Sequence, residues 1–103
     1  PPGATALRLS TKPAGPFPGY CPGEITVPPA RIVVVGDALE LVPEAGGDPL
    51  NIGFPHGWMA WKLEGVAELV SRDGNVVGRG GDVVRHLHAS QNDLAYLVCD
   101  GGA

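Results

Sequence analysis

The sequence is sparing with charge, aromatic rings and cysteine, and each scarcity removes a class of protein. Of 103 residues only 17 % are charged, with 7 basic against 11 acidic side chains and a net charge of −4. A nucleic-acid surface needs clustered Lys and Arg facing phosphates, so this balance argues against DNA or RNA as partner. No apolar run approaches the roughly 18 residues of a spanning helix, which argues against a transmembrane segment. Aromatic residues make up 6 %, few enough that each one calls for a specific place. What the chain has in excess is backbone punctuation. Sixteen glycines and eleven prolines form about a quarter of it, a load that disfavours long helices. At 44 % hydrophobic residues the chain still has the means to bury a core, and its length suits one domain.

The two cysteines, Cys21 and Cys99, lie 78 positions apart, far from any C-x-x-C metal or redox spacing. A pair at opposite ends of a small Gly- and Pro-rich domain is expected to form one long-range disulfide, as in small exported domains. Closing so long a loop is worth roughly 4–4.5 kcal/mol in the chain-entropy model. The first residue is Pro1 rather than Met, so the chain is expected to be processed or cut from a longer product, its signal peptide already absent. The expected location is extracellular or at the cell envelope. Lipidation at Cys21 is not expected, because the preceding Pro16-Phe17-Pro18-Gly19-Tyr20 contains neither an apolar core nor small residues in the required order.

Eight of the eleven prolines fall within residues 1–29, where they leave no room for a helix. Residues 1–19 read as an extended Pro-rich arm, and residues 20–103 as a single β-domain. β signals begin after Pro29. Arg31-Ile32-Val33-Val34-Val35 and Ala38-Leu39-Glu40-Leu41-Val42 flank Gly36-Asp37, the pattern of a two-residue hairpin. Further apolar runs follow at 50–54, 58–63, 66–71, 76–77, 83–88 and 94–99, separated by Pro55-His56-Gly57, Glu64-Gly65, Asp73-Gly74 and Ser90-Gln91-Asn92-Asp93. Asp73-Gly74 is expected to form a type I′ turn. Residues 58–70 also admit a helical reading, but Gly65 and the surrounding β-branched residues favour two strands. The fold expected is all-β: a small barrel or sandwich of six to eight short antiparallel strands.

One stretch carries a family likeness. Pro55-His56-Gly57, the strand Val66-Ala67-Glu68-Leu69-Val70, the hairpin Asp73-Gly74-Asn75-Val76-Val77-Gly78-Arg79 and the segment Gly81-Asp82-Val83-Val84-Arg85 together resemble a group of small uncharacterised exported proteins and lipoproteins of actinobacteria. The likeness covers about 30 residues. Where such proteins tend to carry Gly-Gly after the last valines, this chain has His86-Leu87-His88. The resemblance implies export and a small β-domain, and it implies no catalytic residues.

Four groups of side chains bear on function. His86 and His88, at i and i+2 of a strand, would share a face and offer two imidazoles to one metal, with His56 or an acid as third ligand. Trp58 and Trp61 are candidates for stacking on a sugar or a peptide, although strand alternation sends them to opposite faces, with Trp61 then the core residue and Trp58 a cap. Asp37, Glu40, Glu44 and Asp48 lack calcium-loop spacing and read as a solvated acidic face. Gly78-Arg79-Gly80-Gly81 lacks the lysine and following helix of a phosphate loop, so its glycines read as a turn or bulge.

Nucleophilic catalysis has little to work with. Ser10, Ser71 and Ser90, with Thr5, Thr11 and Thr26, lie outside any G-x-S-x-G elbow. The function expected is therefore a secreted or envelope-associated binding module, not an enzyme, using no cofactor and engaging another protein or an envelope component. The alternative is a small extracytoplasmic metal-binding protein using His86 and His88.

Overall fold

The computed structural model describes residues 2–12, 21–91 and 95–99. Among these residues there is no helix, and twelve short strands account for the regular structure. They are β1 (Thr5–Leu7), β2 (Thr11–Lys12), β3 (Ile25–Thr26), β4 (Ala30–Val35), β5 (Ala38–Pro43) and β6 (Ile52–Pro55), then β7 (Met59–Leu63), β8 (Val66–Val70), β9 (Val76–Arg79), β10 (Val83–Val84), β11 (His88–Gln91) and β12 (Tyr96–Val98).

The strands form three sheets, ordered β1-β7-β8-β9, β10-β4-β5 and β2-β6-β12-β11-β3. The all-β expectation holds, but the arrangement differs from it in three ways. Among the described residues there are twelve strands rather than six to eight, no sheet closes into a barrel, and β6 pairs in parallel with both β2 and β12. The surplus comes from pairings of only two or three residues, such as β2, β3 and β10. Segments that short leave no alternation to read in a sequence. Residues 5–12 fall within the stretch expected to be an arm, yet β1 pairs with β7 and β2 with β6. Residues 13–19 of that stretch lie outside the described residues.

Alternation decides which side chains reach the core. In β4 the buried positions are Ala30 and Ile32, with Arg31 exposed between them, and in β5 they are Leu39 and Leu41. β6 is buried at all four positions, as suits a strand flanked on both edges and covered on both faces. Ile32, Leu41, Phe54 and Leu69 are almost fully enclosed, each stabilising the fold by about 1.5–3 kcal/mol relative to exposure. Trp58 joins this core and packs its ring against Phe54, centroids 5.3 Å apart. Trp58 and Ala60 thus point inward, while Met59 and half-buried Trp61 lie on the outer face. The alternation is as expected, but the phase is the reverse of a core Trp61. The outer position suits Trp61, whose indole N–H has a hydrogen-bond partner there.

The type I′ geometry expected at Asp73-Gly74 is found at another turn. The type I′ pattern, with two successive positive φ angles, occurs at Glu64 (52°) and Gly65 (80°), between β7 and β8. At Asp73-Gly74 only Gly74 has positive φ, at 86°. The Gly74 amide donates to the Ser71 carbonyl and the Ser71 amide to that of Asn75, both at 2.9 Å. This closes a three-residue loop, Arg72-Asp73-Gly74, with glycine in the left-handed position. A register shift at Leu69/Val70 offsets the ladder by one residue, and this explains why the loop is longer than two.

Candidate functional site

β9 ends one sheet and β10 ends another, and where these two edges approach, the surface opens into a groove of about 430 Å³. The approach is set by a missing side chain. A Cβ on Gly78 would lie 2.8 Å from Ile32 Cδ1 and 3.2 Å from Val84 Cγ2, so glycine at 78 lets β9 lie close on β4 and β10 without displacing either side chain. Gly78 sits inside β9, next to the register shift, and also serves packing, while Gly80 and Gly81 form the expected turn. Beyond this contact the walls are aliphatic, formed by Val76, Val77, Val83, Val84, Leu87 and Val98.

The groove gathers three of the four residues singled out for ligand or metal binding. Trp58, His86 and His88 all line it, with Arg85 beside them. Trp61 belongs elsewhere. Its Nε1–H donates to Glu68 Oε1 at 2.7 Å on the outer face of the β7-β8-β9 sheet. A shared tryptophan platform is thus absent, as alternation requires.

His86 and His88 do not share one strand. β10 stops at Val84 and β11 starts at His88, so His86 lies in the connecting segment 85–87. Leu87, buried between them, anchors that segment in the core. His86 is exposed, and His88 is half-buried with Nδ1 3.5 Å from Glu24 Oε2. Among the described residues no three His, Cys, Asp or Glu side chains are grouped to hold a metal ion.

The groove end is braced covalently. Cys99 lines it and is joined to Cys21 by a disulfide, Cα atoms 5.7 Å apart. The Cys99 amide donates to the His88 carbonyl at 3.0 Å, and Ser90 Oγ donates to the Pro22 carbonyl at 2.7 Å. Cys21, β11 and the end of β12 are thereby tied into one corner.

Among the described residues two carboxylates have perturbed acidity, Glu68 and Asp37, and neither lies in the groove. The Trp61 indole holds the Glu68 carboxyl below the usual glutamate range; burial opposes this, and the Arg79 guanidinium, 2.9 Å away, reinforces it. Asp37 is lowered by its hydrogen bond from Arg8 Nε at 2.8 Å, but that pair is solvent-exposed and adds little to stability. A second recess, of about 490 Å³, is bounded by Arg8, Glu40, Asn51 and Leu50 among others. It mixes opposite charges; of the residues singled out from the sequence it holds Glu40 and Ser10, and none of the tryptophans or histidines.

Sequence reasoning missed Arg85, Val84 and Gly78 as parts of a site. Their signal was present only as the run of valines on either side of Gly78-Arg79-Gly80-Gly81. No family model matches the chain, and no curated protein or solved structure matches it either.

Proposed function

We propose that this chain is a non-catalytic binding module, exported to the cell envelope or beyond, that takes the apolar part of an envelope component or of another protein into the groove between β9 and β10. The observation that carries the reading is the composition of that groove. Six aliphatic side chains and Trp58 line it, and its polar groups are few: Arg85, His86 and His88 from one segment, and Ser71 and Asn75 from the β8–β9 loop. Its volume falls within the roughly 300–1,000 Å³ of small-molecule sites, which are mostly apolar with a few converging polar groups. The disulfide supports an oxidising compartment.

The neutral dye N-phenyl-1-naphthylamine, whose fluorescence rises in apolar surroundings, tests this reading. It is expected to bind, to quench Trp58 by energy transfer, and to lose at least about tenfold in affinity in Val76→Arg, which places a cation at a partly exposed position of the wall. A dye that does not bind, or binds Val76→Arg equally well, contradicts the reading.

A further inference from the structure

The groove's polar end has one sign of charge, and that asymmetry identifies a ligand class. The chain carries 11 acidic residues against 7 basic ones, yet among the described residues the groove is lined by Arg85, His86 and His88 and by no carboxylate. All three lie within four consecutive positions, and the rest of the lining is mostly aliphatic, with Trp58 and the uncharged Ser71, Asn75 and Cys99. Building on the binding role proposed above, we infer that the groove takes a medium-chain aliphatic carboxylate, its chain along Val76, Val84, Leu87 and Val98 and its carboxylate at Arg85 and His86.

The two neighbouring acids leave this end open to a ligand. Glu44 Oε2 accepts from Arg85 at 3.0 Å, with the two side chains 41 % and 52 % exposed. A guanidinium has five N–H donors in a planar fork, so one carboxylate leaves others available. Solvent-exposed pairs of this kind are weak, so Glu44 orients Arg85 without exhausting it. Glu24 stands 3.5 Å from His88 Nδ1, next to β3, and does not line the groove. His86 is exposed and brings its ring N–H to the same end.

An acyl chain suits the walls better than a peptide does. A peptide brings an N–H and a C=O per residue, each costly to bury unpaired, and apart from Ser71 and Asn75 the walls present isopropyl and isobutyl groups. An acyl chain has polar atoms only at its head, where Arg85 and His86 are.

Displacement of N-phenyl-1-naphthylamine separates this inference from the reading beneath it. Decanoate is expected to displace the dye at a concentration about tenfold below that needed for decanol, the ratio that a charge-assisted hydrogen bond supplies. In the double variant Arg85→Gln/His86→Gln the ratio should fall to about twofold or less, and in the wild type it should shrink as salt is added. Equal displacement by decanoate and decanol in the wild type overturns the inference and leaves the groove as a neutral apolar site. Displacement by the free acid of the tripeptide Leu-Val-Val but not by decanoate overturns it in favour of a peptide C-terminus. A dye that never binds removes the groove as a site, and the inference with it.

Discussion

Glu68 shows how much one residue depends on its neighbours across a sheet. Trp61, Glu68 and Arg79 are register partners on β7, β8 and β9, so one carboxylate receives both an indole N–H and a guanidinium N–H. These donors favour the charged form, and the carboxyl titrates below the usual glutamate range. The resulting stabilisation is complete above that range, which begins near roughly pH 4.3, and is lost as pH falls through the lower folded value. Urea midpoints of the wild type and Glu68→Gln should therefore differ most at neutral pH and converge in acid. A difference that stays constant or widens toward acid would show that the carboxylate is not the stabilising form. Gly78 is the other decisive residue. With Ile32 Cδ1 and Val84 Cγ2 so close, Gly78→Val should destabilise by about 1–3 kcal/mol or more through overpacking, and should also disturb the groove. A Gly78→Val protein of wild-type stability and unchanged dye affinity would place β9 differently from this account.

At the scale of elements, the two hairpins of the β7-β8-β9 sheet make opposite predictions. Glu64 adopts φ of 52°, a region unfavourable to residues with a Cβ and better tolerated by asparagine. Glu64→Asn should stabilise the protein by up to about 1 kcal/mol, read as a higher denaturation midpoint. Gly74, with φ of 86°, is already the suitable residue, and Gly74→Val should cost about 1–2 kcal/mol. Neither Asp73 nor Gly74 lines the groove, so dye affinity should be unchanged in Gly74→Val wherever the variant is folded. Loss of binding in a folded Gly74→Val would make the loop part of the functional surface. Both hairpins were legible in the sequence, because glycine beside a carboxylate between apolar runs is turn chemistry. Their turn types were not, since these depend on where the ladder slips, and the shift at Leu69/Val70 leaves no trace in residue type. The phase of β7 was equally hidden. Met59-Ala60-Trp61 alternates whichever face is buried, and only the partner Glu68 supplies for the Trp61 indole decides the matter.

The whole molecule has its ends joined. Cys21–Cys99 was legible because two cysteines in such a composition have few other uses, and the structure pairs them. Intact mass should be two hydrogens below the fully reduced value, and Cys21→Ser/Cys99→Ser should lose up to roughly 4–4.5 kcal/mol. Two alkylatable thiols in oxidised protein would contradict this. The sheet topology was not legible. β6 meets β12 and β2 in parallel across long stretches of chain, and pairing at such distance leaves no local signature. The groove was half legible. Trp58, His86 and His88 stood out by residue type, but only the meeting of two sheet edges brings them together, and the walls are valines that any strand would carry. The most direct test of the groove as the binding site is an amide NMR titration of ¹⁵N-labelled protein with decanoate. The account predicts shift changes concentrated at Val76, Val84, His86, Leu87 and Val98, with Met59, Trp61 and Leu63 on the opposite face unmoved. Changes centred on Met59 and Trp61, or none at millimolar decanoate, would contradict it.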